Sequence, residues 1–247
     1  MSLETTISKR IGKAIFNYKM IEEGDKILVA VSGGKDSVTL LNDLVKRQRS
    51  FPIKYTLVAV HIQTDFCTCC DKNKLAEYFE SLGVEYIIKD VGVIKRLKPG
   101  FKMNCYWCSN QRRLELMKIA GEIGASKVAL GHHLDDIAET LLMNICFKGE
   151  IAGMLPKFKY DKFGGIIIRP LAYVKEELII KLANEKGTKQ LVCTCPYGKN
   201  SSRKSVRSQI SELAKIDPSI RENILKSMHN VKDGFLLDPA LKKEDDK

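Results

Sequence analysis

Apolar, β-branched runs that alternate with stretches of helical periodicity constrain the fold of this chain more than any other feature. ILVAV at 27–31 predicts a buried strand, and SVTLLNDLVKRQ at 37–48 a helix whose apolar positions recur at three and four. TLVAVHI at 56–62 is a second strand, followed by a helix through KNKLAEYFESLG that ends at Gly83. EYIIKDV at 85–91, a helix from Ser109 to Gly124, KVAL at 127–130 and a helix from Asp135 to Cys146 continue the series, and GIIIRPLAY at 165–173 adds a fifth strand and a turn. Such alternation predicts a doubly wound α/β fold, a parallel five-stranded sheet with helices on both faces. The 247 residues suffice for one domain: an N-terminal helix over 1–24, an α/β core over 25–173, and a basic helical extension over 174–247.

No stretch approaches the roughly 18 consecutive apolar residues of a membrane span, and MSLETTISKR lacks the apolar core of a signal peptide, so the expected location is the cytoplasm. A net charge of +11 points to a polyanionic partner, nucleic acid first. The basic residues concentrate in KNSSRKSVR (199–207) and around Arg112 and Arg113.

Two loops at strand ends carry the chemistry. ILVAV runs into SGGKDS, Ser32 to Ser37, and a helix starts at once. Paired glycines let the backbone turn and approach a ligand, and the helix N-terminus behind them offers unpaired amides to an anion. This is a phosphate cradle, although its spacing is neither the G-x-x-x-x-G-K-[ST] nor the G-x-G-x-x-G pattern. After KVAL comes Gly131-His132-His133-Leu134-Asp135-Asp136, again a glycine-led turn into a helix. Here Asp135 is either a helix cap or, with Asp136, part of the reacting site.

Eight cysteines fall mainly in clusters: 67, 69 and 70; 105 and 108; 193 and 195. In a reducing compartment such clusters signal metal or thiol chemistry more often than disulfides. Cys105 and Cys108 in NCYWCSNQRR sit just before the helix starting near Ser109, where a thiolate is favoured. The pair alone is compatible with a redox couple, half a zinc site or part of an iron-sulfur site. Cys146 stands alone in the apolar pattern TLLMNIC and reads as a small buried hydrophobe. Cys67, Cys69 and Cys70 read as a loop of no assigned chemistry, with a persulfide relay or zinc as alternatives.

SGGKDS resembles the pyrophosphatase-loop (PP-loop) signature of enzymes that cleave ATP between the α and β phosphates and adenylate a substrate. GHHLDDIAETLLMNICFKGEIAGMLPK with IIIRPLAY resembles the tRNA 2-thiocytidine synthetase family of PP-loop tRNA thiolases, over most of the chain. The resemblance implies an adenine nucleotide alpha hydrolase-like fold. It implies ATP held by Ala30, Val31, Ser32, Gly33, Gly34, Lys35, Asp36, Ser37, His61, Ile62, Gly131 and His132, with Mg²⁺ near Asp36. Asp135, Asp136, Lys35 and Arg112 become the catalytic candidates. A [4Fe–4S] cluster is implied on Cys105, Cys108 and Cys195, with Cys193 as the substitute third ligand. Lys199, Arg203, Lys204 and Arg207 are the candidate tRNA-backbone contacts. The implied partners are tRNA, a sulfur donor such as a cysteine desulfurase or free sulfide, and a second copy in a homodimer. The alternatives are a 2-thiouridine-forming thiolase and a zinc-bearing nucleic-acid-binding protein with a vestigial ATP loop.

Overall fold

The computed structural model describes residues 1–67, 71–160, 164–187 and 201–236; side chains of Ser201 and Asp233 are excepted. The order of elements is α1 (Leu3–Asn17), β1 (Asp25–Ala30), α2 (Lys35–Gln48), β2 (Tyr55–Thr64), α3 (Lys72–Leu82), β3 (Glu85–Val91), α4 (Cys105–Glu122), β4 (Lys127–Ala129) and α5 (Leu134–Lys148). Then come β5 (Lys157–Tyr160), β6 (Gly165–Ile168), a 3₁₀ turn at Pro170–Tyr173, α6 (Glu176–Glu185), α7 (Ser201–Ile216) and α8 (Ile220–Ser227).

The strands form one sheet in the order β3-β2-β1-β4-β6-β5. All neighbours are parallel except β5, which runs antiparallel to β6 with Lys157 opposite Ile168. The sheet therefore has six strands, not the expected five. Both central residues of β5, Phe158 and Lys159, are exposed, so KFKY lacks the buried alternation by which the other strands are recognised. Lysines at 157 and 159 suit an edge strand, where charge discourages pairing with another chain.

Side chains on a strand alternate between faces, and β1 shows how the two layers are filled. Ile27 and Val29 point into a core shared with Ile7 and Ile11 of α1, Leu40, Leu41 and Leu44 of α2, Phe79 of α3, and Ile179 of α6. Leu28 points the other way, joining Val58, Val60, Val128 and Ile167 under Leu116, Met117, Ile119 and Ala120 of α4. Burial on both faces explains why these strands read as continuous apolar runs. Helix α5 packs instead on α7 and α8, through Ala138 with Val206 and Ile210, and through Leu134 and Ile137 with Leu225.

Two sequence expectations need correction. Helix α4 begins at Cys105, four residues before Ser109, because the Asn104 side chain accepts from the Trp107 amide at 2.9 Å and caps it. Both cysteines therefore lie in its first turn. Cys146 is exposed, with Ile145 and Phe147 beside it, because the last turn of α5 outruns the layer that covers its beginning.

Candidate functional site

Strand order reverses between β1 and β4, and the loops leaving these two strands open side by side at their carboxyl ends. In the first loop Gly33 takes φ 81°, a left-handed conformation that side-chain-bearing residues rarely adopt. The turn folds around the Ser37 hydroxyl, which accepts from the Ser32 amide at 3.2 Å and donates to the Gly34 carbonyl at 2.9 Å. Gly34 occupies the N-cap of α2 without a side-chain cap, leaving first-turn amides for an anion.

The second loop comes as near to the first as backbone allows. A Cβ on Gly131 would lie 3.0 Å from the Ser37 nitrogen and 3.1 Å from its Cα. Two residues on, His133 and not Asp135 caps α5. Its Nδ1 accepts from the Asp136 amide at 3.4 Å, while Asp136 Oδ2 accepts from the His133 amide at 3.1 Å. Its other nitrogen, Nε2, faces Asp36, Asp136 and Glu176 at 3.5–3.9 Å.

The two aspartates of this loop part company. Asp136 lines the cleft. Asp135 turns to the helix junction behind it, accepting from the Glu176 amide at 2.8 Å and from Arg221 of α8. Lys35 Nζ lies 2.9 Å from Glu176 Oε1 and 3.2 Å from Asp36 Oδ2. Burial works against its charge, but Glu176 and Asp36 prevail and hold Lys35 above its ordinary pKa. Burial raises the Asp36 carboxyl despite His133 and Lys35, and Asp36 Oδ1 is buried with no hydrogen-bond partner. Burial also opposes ionisation of Asp136, yet His133, His132, the His133 amide and Arg203 together hold its carboxyl below the usual range. Carboxylates pushed in opposite directions within one cleft suit different tasks there.

The cleft encloses about 310 Å³. Its lining combines apolar Ala30, Val60, Ile62, Leu116 and Leu130 with polar Ser32, Asp36, Ser37, Arg112, Arg113, His132 and Asp136. The His132 imidazole is depressed to about 4 by burial and then by Arg169, so it is neutral near pH 7, and its buried Nδ1 has no hydrogen-bond partner. Of the expected nucleotide residues, Ala30, Val31, Ser32, Asp36, Ser37, Ile62, Gly131 and His132 line this cleft, as does Arg112. Gly33, Gly34 and Lys35 shape the turn beside it. His61 points away: it is 3% exposed, with Nδ1 2.8 Å from the Val31 carbonyl and Nε2 3.2 Å from Gln63 Oε1. Neighbours on a strand face opposite ways, and within β2 it is Ile62, not His61, whose side faces the cleft.

Sequence reasoning missed Glu176 and Glu139. Both are brought beside the cleft by tertiary packing, and both meet Arg207 of α7, whose Nε lies 2.6 Å from Glu139 Oε1 and whose Nη1 lies 3.4 Å from Glu176 Oε2; Arg203 Nη1 lies 3.6 Å from Asp136 Oδ1. Only the position of Glu176 in the first turn of a helix, where the dipole favours a carboxylate, offered a signal.

Cys105, Ser109, Arg112 and Leu116 recur at four and three along α4, so Cys105 shares the helix face that lines the cleft; Cys108 flanks it one turn before Arg112. Cys105 is exposed and Cys108 half-buried, while the Trp107 indole donates to the Val93 carbonyl at 3.1 Å and anchors the turn between them. Tyr106, by contrast, is 77% exposed. Cys69, Cys70, Cys193, Cys195 and Lys199 lie outside the described residues. Among the described residues no three His, Cys, Asp or Glu side chains are grouped to hold a metal ion, and no helix is long and apolar enough to cross a membrane.

Comparison with known proteins agrees with this arrangement. A family model described as the PP-loop domain matches residues 3–214. The tRNA-cytidine(32) 2-sulfurtransferase of Vibrio cholerae serotype O1 is 40% identical over 246 residues, which is 97% of this chain and 78% of that protein. The enzyme of the same name from Polynucleobacter necessarius is 38% identical, over 96% of this chain and 79% of the relative. Among solved structures, the U34-tRNA thiolase NcsA from Methanococcus maripaludis with its [4Fe–4S] cluster superposes with a TM-score of 0.76 at 24% identity, covering 92% of this chain and 78% of that one. NMN synthetase from Francisella tularensis shares the fold more distantly, with a TM-score of 0.52 at 15% identity over 96% of this chain and 97% of that one. The match to the PP-loop model over residues 3–214 and the identity of about 40% over nearly the whole chain place this chain in the PP-loop family, in the branch of the tRNA-cytidine(32) 2-sulfurtransferases.

Proposed function

We propose that this enzyme is an ATP-dependent tRNA thiolase that replaces the C2 carbonyl oxygen of a cytidine in tRNA with sulfur. The observation that carries the proposal is the single cleft in which the SGGKDS turn, Asp136 and the cysteine-bearing face of α4 converge. The reaction divides into two displacements. The C2 oxygen attacks the α-phosphorus of ATP, giving an O-adenylated base and pyrophosphate; sulfide then attacks C2, and AMP departs with the former carbonyl oxygen.

The α2 amides, Ser32, Ser37 and Lys35 would hold the pyrophosphate. Arg112 and Arg113 face the same space and would neutralise charge that develops on the α-phosphate. His132, neutral near pH 7, would donate or accept a hydrogen bond without adding charge. The buried, unpartnered Asp36 Oδ1 together with Asp136 fits a hard cation such as Mg²⁺, with oxygen donors of the right chemistry. Asp135, engaged with Arg221 and the α6 amide, would hold the site in position without touching the reacting atoms.

Cys105 and Cys108, neighbours three apart on one face of α4, suit two ligands of a [4Fe–4S] cluster, with Cys195 or Cys193 as the third. When bound, such a cluster supplies a site that keeps sulfide deprotonated near neutral pH. Of the expected tRNA contacts, Arg203 and Arg207 already face carboxylates, whereas Lys204 is exposed, so Lys204 is the stronger backbone contact of the three.

The test is nucleoside analysis of tRNA from cells lacking the protein. Loss of 2-thiocytidine supports the proposal, and loss of 2-thiouridine instead assigns the sister activity. A colourless purified protein with stoichiometric zinc and no tRNA-dependent AMP release would leave only a binding role.

A further inference from the structure

Glu176 is shared. Its Oε1 sits 2.9 Å from Lys35 Nζ in the phosphate turn, and its Oε2 sits 3.4 Å from Arg207 Nη1 on α7. Its backbone amide is fixed by Asp135 at 2.8 Å, so the carboxylate cannot follow one cation without loosening from the other. Arg207 is in turn held 2.6 Å from the buried Glu139, and Arg203 spans Glu139 and Asp136 at 3.6 Å each. A chain of alternating charges therefore runs from the first residue of α2, through α6, to α7.

We infer that Glu176 is a positioning residue that couples occupation of the phosphate turn to the docking of α7. The inference rests on the reading of Lys35 as a pyrophosphate ligand. In the free protein the carboxylate divides its attraction between Lys35 and Arg207. A polyphosphate at the turn takes over Lys35 and repels Glu176, which keeps Arg207 at 3.4 Å as its nearer partner, with His133 Nε2 farther off at 3.9 Å, so ATP tightens α7 onto the core. Coupling is reciprocal: loss of the Arg207 cation leaves Glu176 on the Lys35 side, where it competes with phosphate. In sequence, α7 begins at Ser201, a few residues after Cys193 and Cys195.

The test is a cycle on the full-length protein. MgATP affinity is measured by equilibrium titration for wild type, Glu176→Gln, Arg207→Gln and the double variant. Arg207→Gln is expected to weaken ATP by roughly fivefold in the wild-type background and by less than about twofold once Glu176 is Gln. In parallel, ATP slows amide exchange along α7 in wild type but not in Glu176→Gln. Equal weakening in both backgrounds, or α7 exchange indifferent to bound ATP, overturns the inference while leaving the ATP site intact. No ATP binding by the wild-type protein overturns both readings together. Glu176→Asp keeps the charge on a shorter arm, and reduced coupling in it supports the inference even if the Gln variant fails to fold.

Discussion

His133 and Asp136 cap one another: the imidazole Nδ1 accepts from the Asp136 amide, and the Asp136 carboxylate accepts from the His133 amide at 3.1 Å. The start of α5 is thereby pinned at the rim of the cleft. His133→Ala removes one half of this exchange and should cost about 1 kcal/mol. For a chain of this size that lowers Tm by roughly 2–4 °C, readable in a thermal melt.

Gly131→Ala should be far more damaging to binding than to folding elsewhere. The added methyl meets Ser37 backbone at 3.0 and 3.1 Å, where no flexible side chain can yield. The phosphate turn must shift, and ATP affinity should drop about tenfold or more, an effect of about 1.4 kcal/mol by calorimetric titration. Wild-type affinity in this variant would show that the two loops move independently.

Neighbouring aspartates should separate by readout. Asp136→Asn keeps an oxygen that can accept from the His133 amide, so its main loss is in turnover, lowered by roughly two orders of magnitude as for removal of a charge aimed at the reacting groups. Asp135→Asn strands Arg221 and should cost about 2 kcal/mol of stability, below the ~3–5 kcal/mol of a fully buried pair because Arg221 is 18% exposed. Denaturant melts and single-turnover assays on the same two variants decide the matter.

Acid should destabilise the protein through His132. Its folded value of about 4 lies below the ordinary 6.5, first because of burial and then because of Arg169. The unfolded chain therefore takes up the proton first as pH falls. Stability from the neutral ring is complete above pH 6.5 and is lost from there down to about 4, at up to about 1.4 kcal/mol per pH unit. Urea unfolding at pH 7, 6 and 5 should show this slope in wild type and a shallower one in His132→Asn.

Lys35→Ala and Cys108→Ser should fail differently. The first weakens ATP binding and leaves the cysteine face of α4 intact; the second abolishes thiolation with ATP affinity unchanged. Full thiolation by Cys108→Ser would remove the cysteines from the chemistry.

The parts of this protein legible in its sequence are those decided locally or by burial. ILVAV, TLVAVHI and KVAL are buried on both faces and read as strands at once. SGGKDS reads as an anion turn because glycine and helix start are adjacent. Strand β5 escaped because an edge strand with both central residues exposed carries no pattern. The start of α4 escaped because a single asparagine side chain sets it. Glu139, Glu176 and Arg221 belong to three helices, α5, α6 and α8, and nothing short of their packing brings the first two to Arg207 and the third to Asp135.

The register of β1 with β4 has a consequence for how the protein is made. Ser126 bonds to Lys26 across 100 positions of chain, and β6 must still pair with β4 beyond it. Closing so long a loop precedes any contact that rewards it, which makes such parallel pairing slow. During synthesis, a ribosome that has released SGGKDS has not yet released the strand that supports GHHLDD. Nucleotide capture is therefore a late event, and a nascent chain that ends before β6, Gly165–Ile168, should emerge without it.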